Sequence, residues 1–232
     1  MLIDCDYFMD SQNQFYITKG YWNKGSVLAC LVYSPNQNGE RLNKLNGLKY
    51  SKIIEINLLP CRISDIKKVF YPRKCFQKSK NKLKNTIWKQ LADALVESGI
   101  PGKDIGIFGS YLVGFDIKKD VDFVVYGFGN YKKVRENIDN ILFKLNATHI
   151  TKEHIKYQII THSKNYSNFN SFNKLLVNKW SSIQLKKELL STIRFVYKPK
   201  EIPENPYVKK IIKETEILGI VVDSTGTNFC PR

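Results

Sequence analysis

Acidic residues are scarce. The chain has 232 residues, with 21 Asp plus Glu against 37 Lys plus Arg, a formal net charge of +16. An excess of that size points to a polyanionic partner; the plainer reading is a lysine-rich solvated surface. Paired cysteines are also missing. Cys5, Cys30, Cys61, Cys75 and Cys230 are widely and irregularly spaced, with no Cys-x-x-Cys, which excludes a zinc ribbon and a disulfide framework. No apolar run approaches the roughly eighteen residues of a membrane span. The start, Met1 to Asp6, carries acids where a signal peptide carries basic residues. A soluble, cytoplasmic protein is expected. Two common phosphate motifs are absent: there is no Gly-Lys-Ser/Thr of a P-loop and no Gly-x-Gly-x-x-Gly opening a helix. His149, His154 and His162 are not spaced as a metal set.

What is present centres on residues 105–127. An apolar run (Ile105, Ile107, Phe108) ends in Gly109-Ser110, and eleven residues after Gly109 comes Asp120-Val121-Asp122, leading into a second apolar run from Phe123 to Tyr126. Side chains alternate along a strand, so Asp120 and Asp122 share one face while Val121 and Phe123 take the other. Paired carboxylates repel each other unless a divalent cation sits between them, and an all-oxygen set suits magnesium or manganese. A Gly-Ser pair at a strand-to-helix turn offers free N–H groups and a hydroxyl to a phosphate. The competing reading is a surface turn followed by a strand with two exposed aspartates. A calcium loop is excluded, because Val121 and Phe123 fill positions it would make polar.

This stretch resembles the polymerase-beta-like nucleotidyltransferase superfamily, whose signature is a Gly-Ser turn followed about ten residues later by Asp-x-Asp between apolar residues. Gly109, Ser110, Asp120 and Asp122 match it, and Gly114 stands where many members keep a small residue. Asp6-Tyr7-Phe8, Ile17 to Tyr21, Tyr33-Ser34-Pro35, Gly39-Glu40-Arg41, Gly47 and Tyr50-Ser51-Lys52 occur in an order similar to a group of archaeal stand-alone nucleotidyltransferases. There a short β-rich leader precedes the catalytic domain. Ile193 to Val196 and Val221 to Ser224 echo its later part.

The chain divides accordingly. The expected fold class is α+β: a polymerase-beta-like core, a mixed sheet with flanking helices, preceded by a small β-rich module. Residues 1–60 form that module, with strands at Val27 to Tyr33 and Tyr50 to Leu59. Basic and aromatic residues interleave there (Lys19, Tyr21, Trp22, Lys24, Tyr33, Arg41, Lys44, Lys49, Tyr50, Lys52), as nucleic-acid contact or as the core of a small barrel. Residues 61–81 read as a basic connector in which Pro72 bars an ordinary helix. Residues 82–200 hold the nucleotidyltransferase-like domain. Helices are expected at 82–98, on Leu83, Ile87, Leu91 and Leu95 with Trp88 and Val96, and at 131–145; a strand is expected at Thr192 to Tyr197. Residues 201–232 are expected to form a C-terminal extension, with the N-terminal module as a surface for it to pack on.

The resemblance implies attack by an acceptor hydroxyl on the α-phosphorus of an NTP or dNTP, with release of pyrophosphate. Asp120 and Asp122 would hold Mg2+ or Mn2+ and act catalytically; Gly109 and Ser110 would bind the nucleotide phosphates. The basic balance points to a nucleic-acid end as acceptor. The alternatives are transfer of AMP to a protein and a catalytically weak nucleic-acid-binding protein on the same fold. The resemblance also implies a third carboxylate on a later strand. The strand at 192–197 carries Arg194 and no acid, which leaves Glu188 and Glu153 as candidates.

Overall fold

Among the described residues the chain builds two β-sheets and three α-helices. The computed structural model describes residues 2–21, 25–35, 42–45, 47–53, 58–79, 81–115, 120–151, 180–186 and 189–202.

The first sheet is antiparallel throughout. Its strands are β1 (Tyr7–Asp10), β2 (Phe15–Thr18), β3 (Ser26–Pro35), β4 (Leu42–Leu45), β5 (Leu48–Lys52), β6 (Leu58–Arg62) and β7 (Ile66–Phe70). The order is β4-β5-β3-β2-β1-β7, with β6 also paired to β3. Tracing the antiparallel pairs makes β6 and β7 run in the same direction, and only the 3-10 turn Ile63–Asp65 separates them. They act as one bent strand, its first half bonded to β3 and its second to β1, so the sheet curls back on itself. Leu2, Phe8, Tyr16, Val27 and Ala29 fill the curl.

The second sheet is mixed. It orders β10 (Thr148–His149), β11 (Ser182–Lys186), β12 (Leu189–Val196), β9 (Asp122–Tyr126) and β8 (Ile105–Phe108), with β12 and β9 parallel and the other pairs antiparallel. A parallel pair needs a crossover; α3 (Phe128–Leu145) begins it. Strand β9 shows the expected alternation. Val121, Phe123 and Val125 face α2 (Ile87–Glu97) and α3, while Val124 and Tyr126 face the first sheet. The layers are therefore helices, mixed sheet and curled sheet. The α+β expectation matches this architecture.

The core between the two sheets explains how the halves depend on each other. Tyr7, Phe15, Ile17, Tyr21, Tyr33 and Tyr50 from the first sheet meet Phe108, Leu112, Val113, Phe115, Val124, Tyr126 and Val196 from the second half. Each such buried side chain contributes about 2 kcal/mol. Tyr21, Tyr33 and Tyr50 are thus core residues, as the barrel reading of the interleaved aromatics had it; Trp22 lies outside the described residues.

Three local expectations are corrected. Pro72 starts a helix: it is the first residue of α1 (Pro72–Ser79), where its missing N–H would have had no partner. The connector at 61–81 therefore contains β7 and α1. Helix α2 begins at Ile87 because Asn85 is left-handed (φ 67°) and Thr86 caps the helix, its side chain accepting from the Lys89 N–H at 3.3 Å. Leu83 is buried in the same core from the turn before it, while Val96 is 45% exposed. Finally, the strand expected from Tyr50 to Leu59 is two strands, β5 and β6, which pair with different parts of β3. Residues 152–179 and 187–188, and the C-terminal extension beyond 202, lie outside the described residues. At the near end of the C-terminal extension Ile202 packs against the inter-sheet core, and the Glu201 carboxylate accepts from the Phe128 N–H at 3.1 Å.

Asp6 carries a pH signature of this packing. It is 3% exposed, and its carboxylate accepts from the Ile3 N–H at 3.0 Å. Burial pushes its pKa from 3.8 up to about 7, against the opposing Ile3 N–H and Arg73 charge. The fold prefers the neutral form. Stability therefore falls as pH rises from about 4 to about 7, where the unfolded chain has already released this proton. Asp6→Asn keeps an acceptor for Ile3. It is expected to gain a few kcal/mol over the parent at about pH 8 and nothing near pH 3.5, read from denaturant midpoints. Equal midpoints at pH 8 would show that the carboxyl is solvated.

Candidate functional site

Asp122 opens β9 on the face directed at the first sheet. It pairs with Phe108, the last residue of β8, so the turn that follows β8 lies beside it. Asp120 extends the alignment one step back, bridging to Leu190 in parallel register with β12. Val121 and Phe123 are buried on the helix side, and Asp120 is exposed and Asp122 half-buried on the other. The shared face expected of the two carboxylates is what the strand provides.

Gly109 and Ser110 begin a turn that runs to Gly114 and does not lead into a helix, which corrects the strand-to-helix expectation. Two hydrogen bonds close it, from the Gly114 N–H to the Tyr111 carbonyl at 3.1 Å and from the Phe115 N–H to the Ser110 carbonyl at 3.1 Å. The turn is held by its apolar residues. Leu112, Val113 and Phe115 are all buried in the inter-sheet core. The Phe115 ring lies 4.9 Å from Tyr33, 5.5 Å from Tyr50 and 6.0 Å from Phe15, between centroids. The first sheet therefore positions the turn, although it lies far away in sequence. Gly109 has φ +77°, and a Cβ on it would stand 3.3 Å from Asp122 Oδ2. Its missing side chain lets the turn backbone approach the carboxylate.

The electrostatics converge on Asp122. Burial raises its pKa, and the Asp120 charge raises it further; the Thr192 N–H, Arg194 and Lys52 oppose. The Thr192 N–H donates to Oδ1 at 2.9 Å. Arg194 lies two residues further along β12 on the same face, exposed, its guanidinium carbon 5.0 Å from the Phe108 ring centroid. It also opposes the burial-raised pKa of Asp4, a buried acid of the first sheet's leader. The charge of Lys52, on β5, also acts on Asp122, and the Tyr33 hydroxyl, its pKa raised chiefly by burial, feels Asp120 and Asp122. Sequence reasoning noticed Arg194 only as the absence of an acid, and it placed Lys52 and Tyr33 in a generic basic-aromatic surface. Nothing local connects them to Asp122; the packing of the two sheets does.

Among the described residues no cluster of three or more His, Cys, Asp or Glu could hold an ion. Asp120 and Asp122 remain, an all-oxygen pair whose mutual repulsion a cation would relieve. Magnesium commonly takes one or two carboxylates and completes its shell with water and substrate phosphate. The donor chemistry of the pair is that of such a shell. Glu153, Glu188, Lys118 and Lys119 lie outside the described residues. His149 is exposed and 3.9 Å from Asp139, away from the pair.

Comparison of the chain with protein-family models, with curated proteins and with solved structures finds no match.

Proposed function

We propose that this chain is a metal-dependent nucleotidyltransferase that moves a nucleoside monophosphate from an NTP or dNTP to a hydroxyl acceptor, most readily a nucleic-acid end. The observation that carries this reading is the approach of Gly109 to Asp122, which brings the turn against one of the two carboxylates.

In this reading the acceptor oxygen attacks the α-phosphorus and its proton passes to solvent water. The bond from that phosphorus to the bridging oxygen breaks, and pyrophosphate leaves with the electron pair. Asp120 and Asp122 would hold Mg2+ or Mn2+, which supplies Lewis-acid neutralisation of the phosphates and of the attacking oxygen. The Gly109-Ser110 turn presents backbone N–H groups and the Ser110 hydroxyl to the β and γ phosphates. Arg194 and Lys52 supply fixed positive charge beside the carboxylates, where negative charge accumulates in the transition state. Tyr33 and Phe115 close the floor and keep the turn in place.

A second reading is favoured by one observation. On β12 Thr192 stands level with Asp122 and Arg194 follows on the same face, so that face of the strand carries no acid, which fits a protein that binds nucleotide or nucleic acid without turning it over. Incubation with each α-labelled NTP and dNTP, with Mg2+ or Mn2+, against single-stranded RNA, single-stranded DNA and the protein alone separates the two. Label is expected on the nucleic acid. Label on protein would support AMP transfer, and no label under either metal, with nucleotide binding intact, would overturn the transferase reading.

A further inference from the structure

Between Asp65 and Asp93 the chain has no acidic residue, and the interval holds Lys67, Lys68, Arg73, Lys74, Lys78, Lys80, Lys82, Lys84 and Lys89. The structure sorts these cations. Lys89 is neutralised by Asp93 at 2.6 Å. Elsewhere Lys144 is paired with Glu97 and Lys198 with Asp104. Arg73, Lys74 and Lys78 instead gather on one face of α1, joined by Lys103 from the turn before β8. None of these four forms an ion pair among the described residues. Together with Gln77 and Gly102 they line an open cavity of about 480 Å3. Gln77 ties the two walls together, its side-chain amide donating to the Gly102 carbonyl at 3.1 Å.

Four cations around one groove, none in an ion pair among the described residues, repel each other, which a polyanion relieves. The groove also has an aromatic lip. Tyr71 is 38% exposed, with Lys74 Nζ 4.7 Å from its ring centroid. Arg73 lies over Tyr126 with its guanidinium carbon 4.1 Å from that centroid. Tyr71 and Arg73 also border a second cavity of about 240 Å3 that runs inward to Asp6 and Tyr126. Cations beside an exposed ring match a strand that offers phosphates and stacking bases together. The apolar residues of α1 do not suit a lipid surface: Pro72 and Phe76 are buried against the sheet, so a bilayer would meet charge alone.

We infer that the groove between α1 and the Gly102–Asp104 turn is a docking track for single-stranded nucleic acid, distinct from the carboxylate site. β8 and β9 are antiparallel, with Ile105 opposite Val125 and Phe108 opposite Asp122. The groove therefore lies at the opposite end of β8 from Asp122, about 13 Å away along the strand. It anchors the body of an acceptor strand while its end reaches the carboxylates. That last step rests on the transferase reading; the binding itself does not.

The test measures binding without nucleotide or metal. The probes are a fluorescein-labelled single-stranded oligouridylate, by anisotropy across a salt series, and vesicles of anionic phospholipid. The groove variant is Lys74→Gln, Lys78→Gln, Lys103→Gln. A variant of equal charge loss elsewhere, Lys132→Gln, Lys144→Gln, Lys186→Gln, is the control, and melting curves confirm that both fold. The groove variant is expected to lose about tenfold or more in affinity near 0.1 M salt, with its log–log salt slope reduced by about 2, while the control shifts much less. Equal losses in the two variants would assign the effect to net charge and overturn the proposal. So would wild type that fails to bind the oligonucleotide, or a loss confined to vesicle binding. Asp122→Asn should leave this binding unchanged, so a failed transfer assay with intact groove binding would refute the transferase reading alone.

Discussion

Asp122→Asn is expected to abolish nucleotide transfer and, at the same time, to raise the stability of the protein without metal. The first effect follows from the loss of one of two carboxylates available to a cation. A drop of at least about 10³-fold corresponds to about 4 kcal/mol of transition-state stabilisation. The second effect has the opposite sign because the folded protein holds this carboxylate at a cost. Burial and the Asp120 charge raise its pKa. The ionised form is disfavoured on folding, so stability falls as pH climbs from the unfolded pKa toward the folded one. Asparagine removes that charge and still offers an oxygen to the Thr192 N–H. The variant should therefore melt above the parent at pH 7, and the gap should close near pH 3 to 4. Added Mg2+ should raise the parent's melting temperature and leave the variant's unchanged, since a ligand stabilises only the state that binds it. A variant that still transfers label, or that melts lower than the parent at pH 7, would remove Asp122 from the proposed centre.

Phe115→Ala is expected to destabilise the fold severely. The ring is 3% exposed and meets Phe15, Tyr33 and Tyr50. Truncation of a buried phenylalanine costs about 3–5 kcal/mol, a large part of a typical domain's total stability. For a chain of this size the melting temperature should fall on the order of 10 °C. The consequence for activity is separate. Phe115 holds the end of the Gly109–Gly114 turn, so the folded fraction should also bind nucleotide less well. Phe115→Leu fills part of the space and is expected to recover more than half of the lost stability. An alanine variant that melts within about 2 °C of the parent would show that the turn is not anchored in the inter-sheet core.

These two side chains show how differently the parts of the site were legible. Asp120-Val121-Asp122 declares itself locally, because alternation along one strand decides which side chains share a face, and Val121 and Phe123 are apolar enough to commit the other face to the core. The amphipathic stripe of α2 and the strand at β12 are legible for the same reason, since period and burial are properties of a few neighbouring residues. The start of α2 lies later than the apolar spacing predicts because Leu83 is buried without being helical, and α1 carries no local signal because a proline reads as a barrier until its position at a helix start is known.

Phe115, Arg194, Lys52 and Tyr33 carry no such local mark. Phe115 looks like an apolar residue stranded in a loop; its reason is an aromatic cluster contributed by residues 15, 33 and 50. Arg194 reads as a missing acid, and its place beside Asp122 follows from the parallel pairing of β12 with β9. The amino-acid sequence by itself determined the strand faces, the carboxylate pair and the cationic excess, all consequences of periodicity and composition. Only the tertiary structure decided that the N-terminal sheet buries the turn, brings the Lys52 charge and Tyr33 to bear on the carboxylates and leaves the α1 cations without an ion pair among the described residues, because those outcomes depend on which distant faces exclude water together.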